Sequence, residues 1–220
     1  ITVTMAAAST AAADLNTING KTSVAVNAAA VTTLTGTAAQ VQLAYDANTA
    51  GTITGLGDEL VTISDTTITA IALNDLDSAT AGAINATSVN ILTGNATDVK
   101  TALASSGITT VTNGSLAVNV NSGTASVADI NTINADSATG IVTATATETA
   151  AATLIGLTTT GTDAITVTMA AASTAAADLN TIDGKTSVTV GATAITELTG
   201  NATDVKTALA SSGITTVTNG

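Results

Sequence analysis

The chain repeats itself: residues 1–26 recur at residues 165–190 with 24 of the 26 positions identical. A second block, residues 92–114, returns unchanged as residues 198–220. A unit that recurs at fixed spacing buries its apolar face by stacking on neighbouring copies, so contacts between successive units are expected to build the fold. Because the chain begins without Met and stops inside a repeat, we expect it to be a segment of a longer array.

Two short motifs define the period of the repeat. Leu15 and Leu73 begin copies of an L-N-x-I/L motif, Leu34 and Leu92 begin copies of Leu-Thr-Gly, and each pair is 58 residues apart. We therefore expect units of about 58 residues with two coils each, grouped into a 164-residue super-repeat. On this reading residues 1–220 form one continuous solenoid segment.

Alternating β-branched residues predict short strands, and capping signals predict short helices between them. The predicted strands are 1–3, 24–26, 61–63, 118–120, 165–167 and 188–190. The predicted helices are 11–18, 71–76, 127–133 and 175–182, with further helices beginning at the capping sequences 37–40, 95–98 and 201–204. Gly107 and Gly213 are expected to end helices in the left-handed conformation, and Leu-Thr-Gly is expected to be a linker.

The composition favours a thin, layered core. Hydrophobic residues make up 45% of the chain, but 50 residues are Thr, 46 are Ala, and Tyr45 is the only aromatic residue. Large globular cores rely on aromatic side chains, whereas small β-branched side chains stack well on near-identical neighbours. We therefore predict a repeat solenoid: a β-solenoid with short strands and mini-helices on one side, like a leucine-rich repeat in shape, that forms an elongated rod.

The charge excludes several classes of partner. Sixteen acidic residues stand against four lysines and no arginine, for a net charge of −12. Binding of nucleic acid requires basic patches, so we expect no nucleic-acid partner. No apolar run is long enough to span a bilayer, so we expect no membrane insertion. The absence of Cys excludes a disulfide framework.

No group of residues indicates catalysis. The chain has no His or Cys, and its serines have no general base of the usual kind. The acidic pairs Asp58–Glu59 and Asp75 with Asp77 are expected to be solvated residues of loops and helix ends. We therefore expect no enzyme, no catalytic, cofactor-binding or metal-binding residue, and no small-molecule substrate.

Calcium is the one cofactor that the residues leave open, because Ca²⁺ prefers oxygen ligands. Residues 75–78 and 134–137 carry Asp, Asn and Ser side chains and are expected to lie in the same turn after a helix. The equivalent turns elsewhere contain Lys21 and Lys185. Neither the glycine-rich nonapeptide of calcium-binding β-rolls nor an EF-hand loop is present.

Ice binding and glycosylation are also left open. Thr occupies every second position at 143–147 and 166–168, as a flat array of hydroxyl groups would require, although unequal coils would break such a lattice. The glycosylation sequons begin at Asn85, Asn95, Asn113 and Asn201. Two of them are also explained as helix caps.

Three segments resemble the repeats of a known kind of protein. They are Leu-Thr-Gly-Asn-Ala-Thr-Asp-Val at 198–205, Ala-Ser-Ser-Gly-Ile-Thr at 210–215 and Leu-Asn-Thr-Ile-Asp-Gly at 179–184. Over essentially its whole length the chain resembles giant Thr/Ala-rich repetitive cell-surface proteins of marine cyanobacteria, one of which is associated with flagellum-independent swimming. The resemblance implies an extracellular, cell-surface location and a coat, adhesive or filament role, and it carries over no functional residues.

Two functional hypotheses follow. The first is a structural extracellular repeat protein, a segment of a giant secreted surface fibre, filament or coat that self-associates through open strand edges. The alternative is a repetitive adhesin stalk or binding module for a glycan, a surface or ice, which Ca²⁺ could stiffen.

Overall fold

The computed structural model describes residues 1–110, 116–137 and 140–216, and in this part of the chain it contains eight α-helices and seventeen short β-strands. The helices are Ala12–Asn19 (α1), Ala38–Thr49 (α2), Ala70–Ala79 (α3), Ala96–Ala104 (α4), Val127–Asp136 (α5), Ala151–Leu154 (α6), Ala176–Asp183 (α7) and Ala202–Ala210 (α8). The strands are Val3–Thr4 (β1), Ser9–Ala11 (β2), Val26–Asn27 (β3), Thr33–Gly36 (β4), Ile53–Thr54 (β5), Leu60–Ile63 (β6), Thr67–Thr69 (β7), Ile84–Asn85 (β8), Ile91–Gly94 (β9), Ile108–Thr109 (β10), Ala117–Val120 (β11), Val142–Thr145 (β12), Ala164–Thr166 (β13), Ser173–Ala175 (β14), Val190–Gly191 (β15), Glu197–Thr199 (β16) and Ile214–Thr215 (β17).

The chain forms two compact units, and all strand pairs within them are parallel. The first unit contains residues 1–93 and 101–116, and the second contains residues 94–100 and 117–220. In the first unit, one sheet has five strands in the order β10-β8-β6-β4-β2, another has the order β1-β3-β5, and β7 pairs with β9. In the second unit, β12 pairs with β11 and β13, β14 pairs with β16, and β15 pairs with β17.

The predicted β-solenoid is wrong. The chain adopts an α/β fold with several parallel sheets and, among the described residues, eight helices, rather than a single β-solenoid. The prediction gave each coil one strand, so that all the strands would join one stack closed by mini-helices. Instead, successive strands of the first unit enter different sheets, and the segments between them contain helices of up to 12 residues. These crossovers are what parallel pairing requires.

The Leu-Thr-Gly segments contribute to this difference, because they are strands and not linkers. They form most of β4, β9 and β16. In the five-stranded sheet, the register aligns Leu34 with Val61, Val61 with Ile84, and Ile84 with Ile108. All four side chains are buried. Burial of one such side chain contributes about 1.5–3 kcal/mol, so this apolar ladder is a main source of stability in the first unit.

The helix starts follow the predicted capping sequences. Thr37 and Gln40 form the complete capping box at α2. Asn201 accepts a hydrogen bond from the Asp204 amide at 2.9 Å, and the Asp204 carboxyl in turn accepts from the Asn201 side chain at 2.6 Å. Asn95 begins α4 in the same way.

None of the helices in the described residues has both the length and the hydropathy needed to cross a bilayer.

The predicted helix ends are wrong. Gly107 and Gly213 are outside the left-handed region, whereas the Leu-Thr-Gly glycines Gly36, Gly94 and Gly200 have φ 150°, 156° and 144°. A Cβ at Gly107 would meet the Asp77 carboxyl oxygen, so a larger residue there would have to displace the Asp77 side chain.

Candidate self-association surfaces

The acidic pair Asp58–Glu59 is divided between solvent and the interior. Asp58 is exposed, but Glu59 is buried, so the expectation of a solvated residue is wrong for Glu59. The Tyr45 hydroxyl donates to Glu59 Oε1, and the Gly57 amide donates to Glu59 Oε2 at 2.9 Å. Burial, followed by the hydrogen bond to Glu59, raises the pKa of Tyr45. This group stabilises the first unit and offers no surface for a substrate.

The second acidic pair lies within α3 and not in a turn after it. Asp75 is exposed, and Asp77 Oδ2 accepts a hydrogen bond from Ser105 Oγ at 2.8 Å. The second unit repeats this contact between Asp183 and Ser211, also at 2.8 Å. Each carboxyl therefore connects one helix to the residue that follows the next helix. Within the described ranges, no three acidic side chains converge as a metal site would require.

The second segment considered for calcium, residues 134–137, lies mostly in α5 and makes contacts of the same structural kind. The Asn134 side chain donates to the Thr158 carbonyl at 3.3 Å, and Ser137 Oγ donates to the Asn134 carbonyl at 3.1 Å. Asp136 is exposed at the end of the helix. These hydrogen bonds account for the polar residues of the segment by local structure.

The asparagine of the L-N-x-I/L motif has a role that the sequence analysis missed. Asn16, Asn131 and Asn180 donate to backbone carbonyls 24 or 25 residues further along, at 2.9, 2.8 and 3.1 Å. Asn131 also accepts a hydrogen bond from the Thr158 amide at 2.8 Å. The sequence signal for this role was the recurrence of one polar residue between two apolar positions of the motif. These asparagines connect successive helical segments.

The threonine rows and sequons also have structural explanations. In the β12–β13 register, Thr145 lies beside Thr166, but Thr143 lies beside Ala164, which interrupts the hydroxyl row. Asn85 accepts a hydrogen bond from the Thr87 amide at 3.1 Å and so closes a local turn. Asn95 and Asn201 cap helices, and Asn113 lies outside the described residues.

An apolar surface lies at the start of the first unit. We call it the amino-terminal surface and define it by Ile1, Val3, Met5 and Ile18. Ile1 is 97% exposed, and the other three are partly exposed. The same positions are Ile165, Val167, Met169 and Ile182 in the second copy, where all four are buried. In the second copy this apolar face is therefore covered.

The cover of the second copy comes from the segment that precedes it. Strand β12 pairs with β13 and places Ala144 beside Ile165, while α6 packs against α7. The strand register that follows is the same in both copies. In the first copy Val3 lies beside Val26 and Thr4 beside Asn27. In the second copy the counterparts of Thr4 and Asn27, Thr168 and Gly191, lie beside each other. The two copies therefore differ in their cover and not in their own pairing.

A second apolar surface lies at residues 198–216. We call it the carboxy-terminal surface and define it by Leu198, Ala202, Val205 and Leu209. Leu209 is 61% exposed, Ala202 is exposed, and the other two are partly exposed. A groove of about 190 Å³ lies between Leu198 and Leu209. The identical block at residues 92–110 buries Leu92, Ala96 and Val99, whereas Leu103, the counterpart of Leu209, is partly exposed.

The electrostatics of the two identical blocks differ in the same way. Lys100 forms an ion pair with Asp129 of α5, and the hydrogen bonds from Lys100 and then Ser126 lower the pKa of Asp129. Its counterpart Lys206 is exposed at the carboxy-terminal surface. Neither surface brings together a nucleophile and a base.

Comparison with known proteins leaves the family unassigned: no protein-family model, curated protein or solved structure matches the chain.

Proposed function

We propose that the chain is a structural, non-enzymatic protein that associates with copies of itself outside the cell, into a fibre, filament or coat. The supporting observation is that large aliphatic side chains are exposed within the chain, among them Leu43, Leu60, Ile71 and Ile141. Exposed apolar side chains gain free energy when another copy buries them.

The expected strength of this association is modest. Full burial of one large aliphatic side chain contributes about 1.5–3 kcal/mol, and Leu43, Leu60, Ile71 and Ile141 are already about half buried. Association itself costs about 4–15 kcal/mol in lost freedom of motion. Self-association is therefore expected to depend on protein concentration, and an array of many repeats would gain from many such contacts.

The net charge of −12 opposes association in a way that can be measured. Two copies repel each other, and salt screens exposed charges over about 8 Å at physiological ionic strength. Added salt is therefore expected to strengthen assembly. No step of the proposal requires Ca²⁺, so we expect assembly to continue in a chelator. The extracellular location is proposed from the resemblance to cyanobacterial surface proteins.

Electron microscopy of the purified chain, with and without a chelator, tests the proposal. We expect filaments or layers whose repeat matches the chain and which survive chelation. Particles that remain single at every concentration and salt level would contradict it. Assembly that dissolves on chelation would instead assign a structural role to a bound divalent cation.

A further inference from the structure

We infer that Asn85 is a site of N-linked glycosylation, at which a sugar is transferred from a sugar-diphosphate donor to Nδ2 of the side chain. The inference goes beyond the proposed function and rests on it only in taking the chain to be exported, as chains that carry N-linked sugars are. The sequence contains four sequons and does not distinguish among them. The structure distinguishes the three that lie in the described residues.

The side chain of Asn85 is exposed, and its nitrogen is uncommitted. Its Oδ1 accepts two hydrogen bonds, one from the Thr87 hydroxyl at 2.7 Å and one from the Thr87 amide at 3.1 Å. Its Nδ2 has no hydrogen-bond partner among the described residues. The atom that accepts the sugar is therefore free, while the oxygen of the same amide is held in place.

The two donors act on the atom that gains charge during the transfer. The reaction forms a bond between Nδ2 and the anomeric carbon of the sugar, breaks the bond from that carbon to the diphosphate, and releases one amide proton and the diphosphate-bearing carrier. An amide nitrogen is a weak nucleophile because its electron pair is delocalised onto the oxygen. As Nδ2 loses its proton, negative charge develops on Oδ1, and donors already positioned at that oxygen stabilise it. The hydrogen bond from the Thr87 hydroxyl therefore favours the reaction.

The turn at Asn85 does not need this hydroxyl. Asn27 ends β3 as Asn85 ends β8, and its Oδ1 accepts a hydrogen bond from the Ala29 amide at 3.1 Å. The same turn therefore forms with alanine in the place of Thr87. Local structure explains the asparagine but gives the threonine hydroxyl no role, whereas glycosylation gives it one.

The asparagines of the other two sequons are committed to helix caps. Asn95 Oδ1 accepts from the Asp98 amide at 2.9 Å, and Asn95 Nδ2 donates to the Asp98 carboxyl at 2.6 Å. Asn201 makes the same two bonds with Asp204. Transfer of a sugar to either nitrogen disturbs its bond to the carboxyl, and the loss of a helix cap is unfavourable. The folded chain therefore favours Asn85.

The surface beside Asn85 has room for the sugar. A groove of about 470 Å³ lies there and is lined by Asn85 together with Thr33, Leu60, Thr62 and Thr109. The sheet register sets Thr62 and Thr109 on either side of Asn85. Sites that hold small ligands have volumes of about 300–1,000 Å³. Leu60 is 54% exposed and offers an apolar contact to the C–H face of a sugar ring, and the threonine hydroxyls offer hydrogen bonds.

Transfer to the intact chain by a purified oligosaccharyltransferase, supplied with an oligosaccharide on a polyprenyl diphosphate, tests the site. Cleavage after Lys100 and Lys185 puts Asn201 in a different peptide from Asn85 and Asn95, and fragmentation in the mass spectrometer separates the last two. Short synthetic peptides of each sequon supply the rate that the local sequence alone allows. Relative to those peptides, we expect the folded chain to be modified about tenfold faster at Asn85 than at the other two sites, because a helix cap must be lost there.

Substitutions at Thr87 test its hydroxyl. T87V removes the hydroxyl and keeps the shape of the side chain, so modification at Asn85 should fall to background. T87S keeps a hydroxyl and should keep the modification. T203V makes the same change in the sequon of Asn201 and should leave Asn85 unaffected. Circular dichroism of each variant confirms that it folds.

Two results would overturn the inference. One is an Asn85 that stays unmodified in the folded chain, and the other is modification at Asn95 and Asn201 as fast, relative to their peptides, as at Asn85. Neither result bears on self-association, which is measured on the unmodified chain. A chain that accepts the sugar at Asn85 but never associates contradicts the proposed function and leaves this site standing.

Discussion

Tyr45, the only aromatic residue of the chain, provides a sensitive test of the buried polar group in the first unit. Its side chain is 3% exposed, its hydroxyl donates to Glu59, and Glu59 is equally buried. Burial and this hydrogen bond raise the pKa of Tyr45 above its ordinary value of about 10. Above that pH the unfolded chain loses the phenol proton, and the folded chain keeps it.

The magnitude follows from this difference of one proton. The folded state binds more protons than the unfolded state between the ordinary and the raised pKa, so the free energy of unfolding falls as the pH rises. The expected slope is about 1.4 kcal/mol per pH unit from this one group. Below pH 10 the contribution is fully present. Denaturant titrations at successive pH values measure the slope, and tyrosinate absorbance reports the ionisation of a single residue.

The variant Y45F is the control because it removes the ionising group and retains the ring. Its stability should fall less steeply with pH above 10, and it should be about 1–3 kcal/mol less stable at neutral pH because Glu59 loses a donor. The reasoning is refuted if tyrosinate forms at its ordinary pKa while circular dichroism still shows folded protein. It is also refuted if wild type and Y45F have the same alkaline slope.

Three further predictions concern single residues. N131A should lower the free energy of unfolding by about 1–3 kcal/mol in denaturant titrations, because it removes two hydrogen bonds of 2.8 Å between segments; an unchanged midpoint contradicts this role. G20A should stabilise the chain by about 0.4–1 kcal/mol, whereas G55A should destabilise it, because Gly55 has φ 86° and a methyl group there would meet backbone at 2.7 Å; thermal melts of equal shift would refute the distinction. K100M should be slightly less stable than wild type near neutral pH, because it loses the ion pair with Asp129, and equal to wild type once the pH falls below the lowered pKa of Asp129. A difference in stability that persists in acid would exclude the ion pair as its cause.

Local features of the fold were predictable from sequence because short-range hydrogen bonds determine them. The capping box at Thr37 and the Asn caps at α4 and α8 depend on residues three positions apart. Each predicted strand overlaps an observed one, although 1–3, 24–26 and 188–190 share only their last residue with β1, β3 and β15. Period-two alternation identifies a strand well and its limits poorly.

Sheet membership was not predictable in this way, because it depends on partners 21 to 27 residues away. Leu34 lies in a strand whose Leu-Thr-Gly sequence suggested a linker, and only its alignment with Val61 shows why it is buried. The burial of Glu59 also depends on a distant partner, Tyr45. The two surfaces became visible only when the exposures of identical sequences were compared. The division of residues 1–220 into 58-residue units stays a prediction.

Sedimentation velocity of the purified chain tests the central claim, self-association, most directly. We expect the sedimentation coefficient to rise with protein concentration, because apolar side chains such as Leu43 and Ile71 are exposed and another copy can bury them. At a given concentration we expect added salt to raise it further, because the net charge of −12 makes two copies repel each other. A sedimentation coefficient that stays that of a single chain at every concentration and salt level would contradict self-association.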